Sequence, residues 1–323
     1  MYTDIKLEKS MYSVAGRSFT QVLAELDPDR QYKGTELEGL DAYERQLKRF
    51  GIKVRGKGCD SVERFFSTSD SAVLFPEYVR REIRAGFDGA SLLGEIAAAS
   101  SLTDSYDYRA LSVTVTGSEA GVEQLAELPQ TTVKLASTAT ALTKFARRAD
   151  CSFEAVRKQR IEAFGVILRT LGAQIARAIN SSAISALLSS ASGSTYSGSI
   201  TYAALAAFWA SMNAFDMDVM LCSPDTMAAI LALDEMKYCV TDFMSSGKVV
   251  TPYGVTIIKA SSLASGTILG IDSKCAAEAV YGSDIVIDTD RLISTQCDEV
   301  TASILCGVSV LTSAAVKKLT KAS

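Results

Sequence analysis

Histidine is absent from all 323 residues. That absence removes every Ser-His-Asp and Cys-His nucleophile, the HExxH zinc site and the commonest general base at neutral pH, and with them most hydrolytic mechanisms. Paired cysteines are missing too. The seven cysteines, at 59, 151, 222, 239, 275, 297 and 306, are odd in number and form no C-x-x-C, so they suggest neither a disulfide framework nor a thiolate metal cage, and a reducing cytoplasm fits them better. Strong charge of either sign is lacking: 33 basic residues face 37 acidic ones, a net charge of −4, which argues against a surface selected as a whole to grip nucleic acid. The N-terminus, Met1-Tyr2-Thr3-Asp4, runs into charged sequence without the apolar core of a secretory signal. Residues 178–215 carry no charge, but Ser, Thr, Asn and Gly interrupt them and leave no 18-residue apolar run, so they read as a helix end, a linker and a second buried helix. No repeat of 20 to 50 residues is present, which excludes a solenoid or propeller.

What is present is enough apolar material, 48% of residues, to fill two or more lobes. Residues 1–60 alternate charges around one helix that opens with the capping box Thr35-Glu36-Leu37-Glu38 and stops at Gly51. Leu37, Leu40, Tyr43, Leu47 and Phe50 share one face of it, a face that must dock on something. Pro76, in Leu74-Phe75-Pro76-Glu77, marks a second helix start. Leu111, Val113 and Val115 alternate with polar residues, as do Thr131, Val133 and Leu135 after an interval holding Gly117, Gly121 and Pro129, which predicts a long hairpin. From Ser152 the period turns helical, with Phe153, Val156, Phe164, Leu168, Leu171, Ile175 and Ile179 on one stripe, and it need not end before about Ser190. Gly165 and Gly172 inside that helix imply close approach of another backbone. The Ser/Gly-rich residues 189–199 mark a boundary. Beyond them residues 218–222 read as a strand feeding a helix capped by Ser223-Pro224-Asp225, and residues 255–258 and 267–271 read as further strands. Val300, Ala302, Ile304, Cys306, Val308 and Val310 give a long final strand with one buried face.

No motif gathers catalytic chemistry. Gly56-Lys57-Gly58-Cys59-Asp60-Ser61 lacks the third glycine of a dinucleotide loop and reads as a flexible arm. Ser245-Ser246-Gly247-Lys248 matches S-x-x-K without a K-T-G partner. Asp234-Glu235, Asp288-Asp290 and Asp298-Glu299 lack the ligand spacing of a calcium loop and read as solvated turns. The methionines at 212, 217, 220, 227 and 236 suit core filling. Arg147, Arg148, Arg157, Lys158 and Arg160 form a basic concentration that suits phosphate, an acidic neighbour or a solvated helix start.

The order of elements resembles the Hong Kong 97-like major capsid proteins of tailed phages. The likeness is carried by Phe75-Pro76-Glu77, the run 144–190, the Asp218-Val219-Met220-Leu221-Cys222-Ser223-Pro224 helix opening, Tyr253-Gly254-Val255 with its strands, and the tail 284–319. It covers about residues 70–320. It implies an α+β fold: an N-terminal arm (1–70), a peripheral domain (71–100, 136–192 and 286–323) holding a spine helix at about 152–190, an extended β-hairpin loop (101–135) and an axial domain (193–285). The implied function is self-assembly into the hexamers and pentamers of an icosahedral head around double-stranded DNA, with no enzymatic activity, catalytic residue, cofactor or metal. An encapsulin-type nanocompartment is the alternative. Expected partners are the chain itself, packaged DNA without sequence preference, a portal, and scaffolding or decoration proteins, with no membrane; assembly is expected in the host cytoplasm and residence in the virion. Interface contacts are expected at Leu37, Leu40, Tyr43, Leu47, Phe50, Leu111, Val113, Val115, Val133 and Leu135, and residues 1–60 as a retained arm.

Some members of that family weld subunits through a lysine-asparagine isopeptide. This chain has only Asn180 and Asn213, and one lysine, Lys134, near the hairpin. Mature particles are therefore expected to dissolve into single chains on reducing, denaturing electrophoresis; a ladder of covalent multimers would overturn the expectation.

Overall fold

A glycine on each of two helices decides how the first part of the chain packs. The computed structural model describes residues 5–14, 16–105, 107–116, 121–239, 249–292, 294 and 296–322. In chain order the elements are α1 (Phe19–Leu26), α2 (Ala42–Arg49), α3 (Ser69–Ala72), α4 (Leu74–Ala90), α5 (Leu93–Ile96), β1 (Ala99–Leu102), β2 (Leu111–Thr116), β3 (Gln130–Leu135), β4 (Thr143–Ser152), α6 (Phe153–Lys158), α7 (Ile161–Ser190) and β5 (Ser192–Tyr196). They continue with α8 (Tyr202–Ala210), β6 (Val219–Cys222), α9 (Pro224–Leu231), β7 (Val249–Val250), β8 (Thr256–Lys259), β9 (Thr267–Ile271), β10 (Ala277–Tyr281), β11 (Val286–Leu292), β12 (Cys297–Val310) and β13 (Val316–Lys321). Contacts divide the chain into one unit of residues 1–90, 146–176 and 285–303 and another of residues 91–145, 177–284 and 304–323.

In the first unit α4 starts at Leu74 with Pro76 in its first turn, where a missing N–H costs nothing. It buries Leu74, Tyr78, Val79, Ile83 and Phe87. The first half of α7 lies against it, burying Phe164, Leu168, Leu171 and Ile175 from the stripe read in the sequence. A Cβ on Gly86 of α4 would stand 2.0 Å from the Arg169 carbonyl oxygen, and one on Gly172 of α7 would stand 2.0 Å from that of Ile83. The helices thus meet backbone to backbone at two places, so the close backbone approach expected at Gly172 is made within the chain itself, whereas a Cβ on Gly165 would meet side chains instead, Tyr78 Oη at 2.5 Å and Glu82 Oε2 at 3.1 Å. Tyr78 Oη donates to the Ile161 carbonyl at 2.8 Å, and Arg169 reaches the nearly buried Glu82 at 2.6 Å.

The long helix begins later than the sequence period suggests. Helix α6 ends at Lys158, Gln159 is extended, and α7 runs for 30 residues, roughly 45 Å at 1.5 Å per residue. The break has a cause distant in sequence. The Val62 N–H donates to Gln159 O and the Ile161 N–H to Asp60 O, both at 2.9 Å, so a bridge between Ser61 and Arg160 replaces helical hydrogen bonds there.

The second unit holds a six-stranded sheet in the order β5-β13-β9-β6-β8-β7. Its core gathers Leu205, Phe208, Met212, Met217, Met220, Ile230, Met236 and Ile268, so these methionines fill space as expected. Two expectations need correction. Within 189–199, residues 192–196 are strand β5, paired in parallel with β13, and not a linker; an edge strand is ordered by its ladder and tolerates Ser and Gly. Residues 316–321, strand β13, pair on their other side with β9. In the other sheet β11 pairs with residues 297–303 of β12, so Asp288 and Asp290 lie in a strand and not in a turn. Residues 306–310 of β12 pair with β10, and β10 with β1. On β12, Val300, Ala302, Ile304 and Cys306 are buried, the alternation foreseen for the final strand.

Substituting alanine at Gly86 or Gly172 should lower the thermal midpoint. The roughly 1 kcal/mol that alanine gains in a helix is outweighed by pushing a methyl into a backbone carbonyl, where overpacking costs on the order of 1–3 kcal/mol. Gly89→Ala, with nothing within 4 Å of the new methyl, should hold or raise it. Equal effects at all three positions would refute the packing account.

Candidate assembly surfaces

The N-terminal apolar face expected to meet a neighbour is largely covered by its own chain. Thr35 does not cap a helix; its hydroxyl donates to Tyr32 O at 2.7 Å, Gly39 takes a positive φ of 84°, and α2 starts seven residues on, capped by Asp41, whose carboxylate accepts the Glu44 N–H at 2.8 Å. Leu37, Tyr43 and Leu47 are buried and Leu40 and Phe50 half-buried, a correction to their reading as free contact residues. The reason is a set of buried polar anchors that local periodicity cannot show. Arg45, 1% exposed, donates to Asp27 at 2.8 Å and to Asp29 at 2.9 Å, while Tyr32 Oη donates to Asp27 at 2.5 Å.

A second anchor fastens this segment to α4. Fully buried Glu77 accepts from Thr20 Oγ1 at 2.7 Å, from Arg81 Nε at 2.9 Å, and from Arg80 Nε at 2.8 Å. Its N–H donates to Tyr12 Oη, whose own proton goes to Val73 O at 2.7 Å. Arg81 extends to Asp41 at 2.6 Å and stacks on the Tyr43 ring at 4.3 Å. Burial alone would raise the Glu77 carboxyl, but the Arg80 guanidinium, the Thr20 hydroxyl and Arg81 outweigh it and hold it below the usual carboxylate range.

The hairpin is the opposite case. Strands β2 and β3 pair Leu111 with Leu135 and Val113 with Val133. Leu111, Val133 and Leu135 are exposed, and toward the tip Leu128 is 74% exposed and Leu125, at a positive φ of 67°, wholly so. The side chains of Val113 and Val115 lie outside the described residues. The root of the ribbon is fixed: Ala136 N–H donates to Ala110 O, Thr140 N–H to Tyr108 O, and Tyr108 Oη to Glu278 at 2.6 Å, a carboxylate that also takes the Ser101 hydroxyl. That bond to Glu278, with some burial, raises the Tyr108 phenol above its ordinary value. A two-stranded ribbon with apolar residues in water is marginal, so this surface suits a partner. Sequence reasoning missed the leucines of the tip, whose only signal was apolar residues set among turn formers without a period, and it missed Glu278.

Among the described residues no group of three or more Cys, Asp or Glu is placed to hold a metal ion. A cavity of about 420 Å³ in the first unit is lined mainly by apolar side chains such as Phe66, Phe75, Pro76, Val156, Phe164 and Val300. The S-x-x-K match at 245–248 lies outside the described residues. The loop 56–61, expected to be a flexible arm, is tied by Gly56 N–H to Glu162 at 3.1 Å and by Arg160 to Lys57 O at 3.0 Å. No helix is long and apolar enough to cross a membrane among the described residues.

The phage capsid protein family matches the chain over residues 135–295. No curated protein matches it. Among solved structures the fold is similar to the virus-like particle from Pyrococcus furiosus, with a TM-score of 0.53 at 12% identity over 75% of this chain and 98% of that one. It is similar as well to the capsid of a native GTA particle (0.53, 13%, 74% and 91%) and to that of Gordonia phage Cozz (0.51, 12%, 72% and 87%). At these identities the likeness is one of fold, and that fold is Hong Kong 97-like.

Because the Glu77 carboxyl sits below its ordinary value of 4.5, the stability it contributes is complete above that value and is lost as the pH falls through the lower folded one. Glu77→Gln should cost about 3 kcal/mol near neutrality, the lower end for breaking a buried pair because both arginines reach water. It should also flatten the acid limb of a urea-unfolding series between pH 5 and pH 3 (about the span of ordinary carboxylate titration). An acid limb as steep as the parent's would remove Glu77 from the account.

Proposed function

We propose, from the premise that this chain is a phage capsid family protein with the Hong Kong 97-like fold, that it is the major capsid protein of a tailed phage and closes into hexamers and pentamers around double-stranded DNA. The observation that carries the reading is the hairpin, rooted on Glu278 yet clothed in exposed leucine and valine. Such a ribbon gains stability when it lies on another subunit, where each exposed leucine removes apolar surface from water at about 25 cal/mol per Å². On this reading residues 101–135 are the extended loop, and the six-stranded sheet, with β13 added to residues 193–285, is the axial lobe. The chain's role is then structural: it binds copies of itself, with a portal and scaffolding or decoration proteins as further partners, assembles in the host cytoplasm and resides in the virion.

The likeness to the Pyrococcus particle, which spans nearly all of that chain, is compatible with one other reading, a nanocompartment shell that holds protein cargo in place of a genome. Nuclease-protected contents of purified particles separate the two.

Electron microscopy of the purified chain should show closed shells. The double variant Leu125→Asp, Leu128→Asp, with both positions in water in the free subunit, should keep the parent's circular dichroism and thermal midpoint while shell yield falls at least about tenfold, the effect of about 1.4 kcal/mol at each contact. A parent that remains a compact monomer at every concentration and salt refutes the shell; a variant that assembles as well as the parent removes the hairpin from the interface.

A further inference from the structure

The basic residues that stand out in the sequence do not act as one cluster. Arg148 is paired with Asp150 at 3.0 Å and Glu299 at 3.5 Å, and Arg157 lies over the Phe66 ring. Lys158 and Arg160 instead join a set contributed by the loop after α2. Residues 48–64 hold six basic side chains and two acidic ones, in a chain whose net charge is −4.

Main-chain contacts draw this loop against the segment that enters α7. Arg160 donates to Lys57 O at 3.0 Å, Val62 N–H to Gln159 O at 2.9 Å, and Gly56 N–H to the Glu162 carboxylate at 3.1 Å. Arg64 turns back toward Phe50 O at 3.5 Å, and the Lys53 stem lies beside Gly58. Lys53, Lys57, Arg64, Lys158 and Arg160 are therefore neighbours, and all five are exposed. Among the described residues none of the five forms an ion pair, and Arg55 beside them meets Glu82 only at 3.6 Å. Two carboxylates within the patch already serve the backbone: Asp60 accepts the Lys53 N–H at 2.7 Å, and Glu162 that of Gly56.

Five unpaired cations on a fixed backbone repel one another and favour a polyanion that releases its counter-ions on binding. The surface is poor in the apolar centre that a protein partner would need, because Ile52, Cys59, Val62 and Phe65 all point inward. Gly56 and Gly58 leave the backbone between the cations open to close approach. We propose that this patch binds the phosphate backbone of double-stranded DNA without reading its sequence. The assignment rests on the shell reading only in making the enclosed duplex the ligand.

The test measures binding of the purified full-length chain to a random-sequence DNA duplex by fluorescence anisotropy across a salt series, with electron microscopy of shell formation alongside. Removing three phosphate contacts in Lys53→Gln, Lys57→Gln, Arg64→Gln should weaken binding and lower the slope of log K against log salt by about 2.7, at roughly 0.9 per contact. Lys237→Gln, at an exposed residue paired with Asp234, should change neither. Unchanged affinity and slope in the triple variant overturn the proposal. So does a triple variant that binds DNA like the parent but no longer forms shells, since the patch then faces an acidic surface of another subunit such as the hairpin with Glu123 and Glu127. A parent that forms shells yet binds no duplex refutes the DNA surface and leaves the shell standing; a parent that does neither refutes both.

Discussion

The contact on which the first unit depends is the approach of α4 to α7 without side chains between them. Gly86 faces the carbonyl of Arg169 and Gly172 faces that of Ile83, so each helix supplies the gap into which the other's backbone fits. Glycine in a helix costs about 1 kcal/mol against alanine, and here two such costs are offset by packing that no larger residue permits. The polar contacts follow from that distance. Tyr78 can reach the Ile161 carbonyl and Arg169 can reach Glu82 because the two axes lie so close.

The N-terminal segment is built on the outer side of the same α4. Glu77 stands one turn into that helix, and its carboxylate gathers Thr20, Arg80 and Arg81, while Tyr12 donates to the carbonyl of Val73, just before the helix, and Tyr43 to that of Leu74, its first residue. A charged group buried with its partners is weak evidence for net stability but fixes a geometry well, because any slippage leaves a carboxylate unpaired. Residues that local pattern marked as an arm with an outward apolar face are held as a layer on α4, and Leu37, Tyr43 and Leu47 are spent within it.

What was legible in the sequence was local and periodic. Pro76 at a helix start, the stripe from Phe164 to Ile179, the paired alternation of β2 and β3, the Ser223-Pro224 cap and the even-numbered run from Val300 all appear where the pattern puts them. What was not legible depends on residues far apart in the chain. The helix breaks at Gln159 because Asp60 and Val62 take its hydrogen bonds. Ser192 to Tyr196 is a strand because β13, more than a hundred residues later, offers it a ladder, and Asp288 and Asp290 lie in a strand because β12 does the same. Of the candidate interface, the hairpin residues were found by alternation, whereas the tip leucines have no period and the patch around Lys57 exists only once the loop folds against Arg160.

The hairpin and the basic loop are unlike in a way that bears on what each can bind. The hairpin shows apolar side chains on a ribbon whose interior is only one sheet thick, and Glu123 and Glu127 beside its leucines bring negative charge without a basic residue between Leu111 and Val133. The loop shows charge without apolar surface. Burying leucine needs shape and a dry contact, which another folded subunit supplies. Neutralising lysine needs only charge density, which a duplex supplies at one phosphate per 1.7 Å or so of axis. One chain thus carries two surfaces of different chemistry, and the proposed role of a shell subunit around DNA would use both.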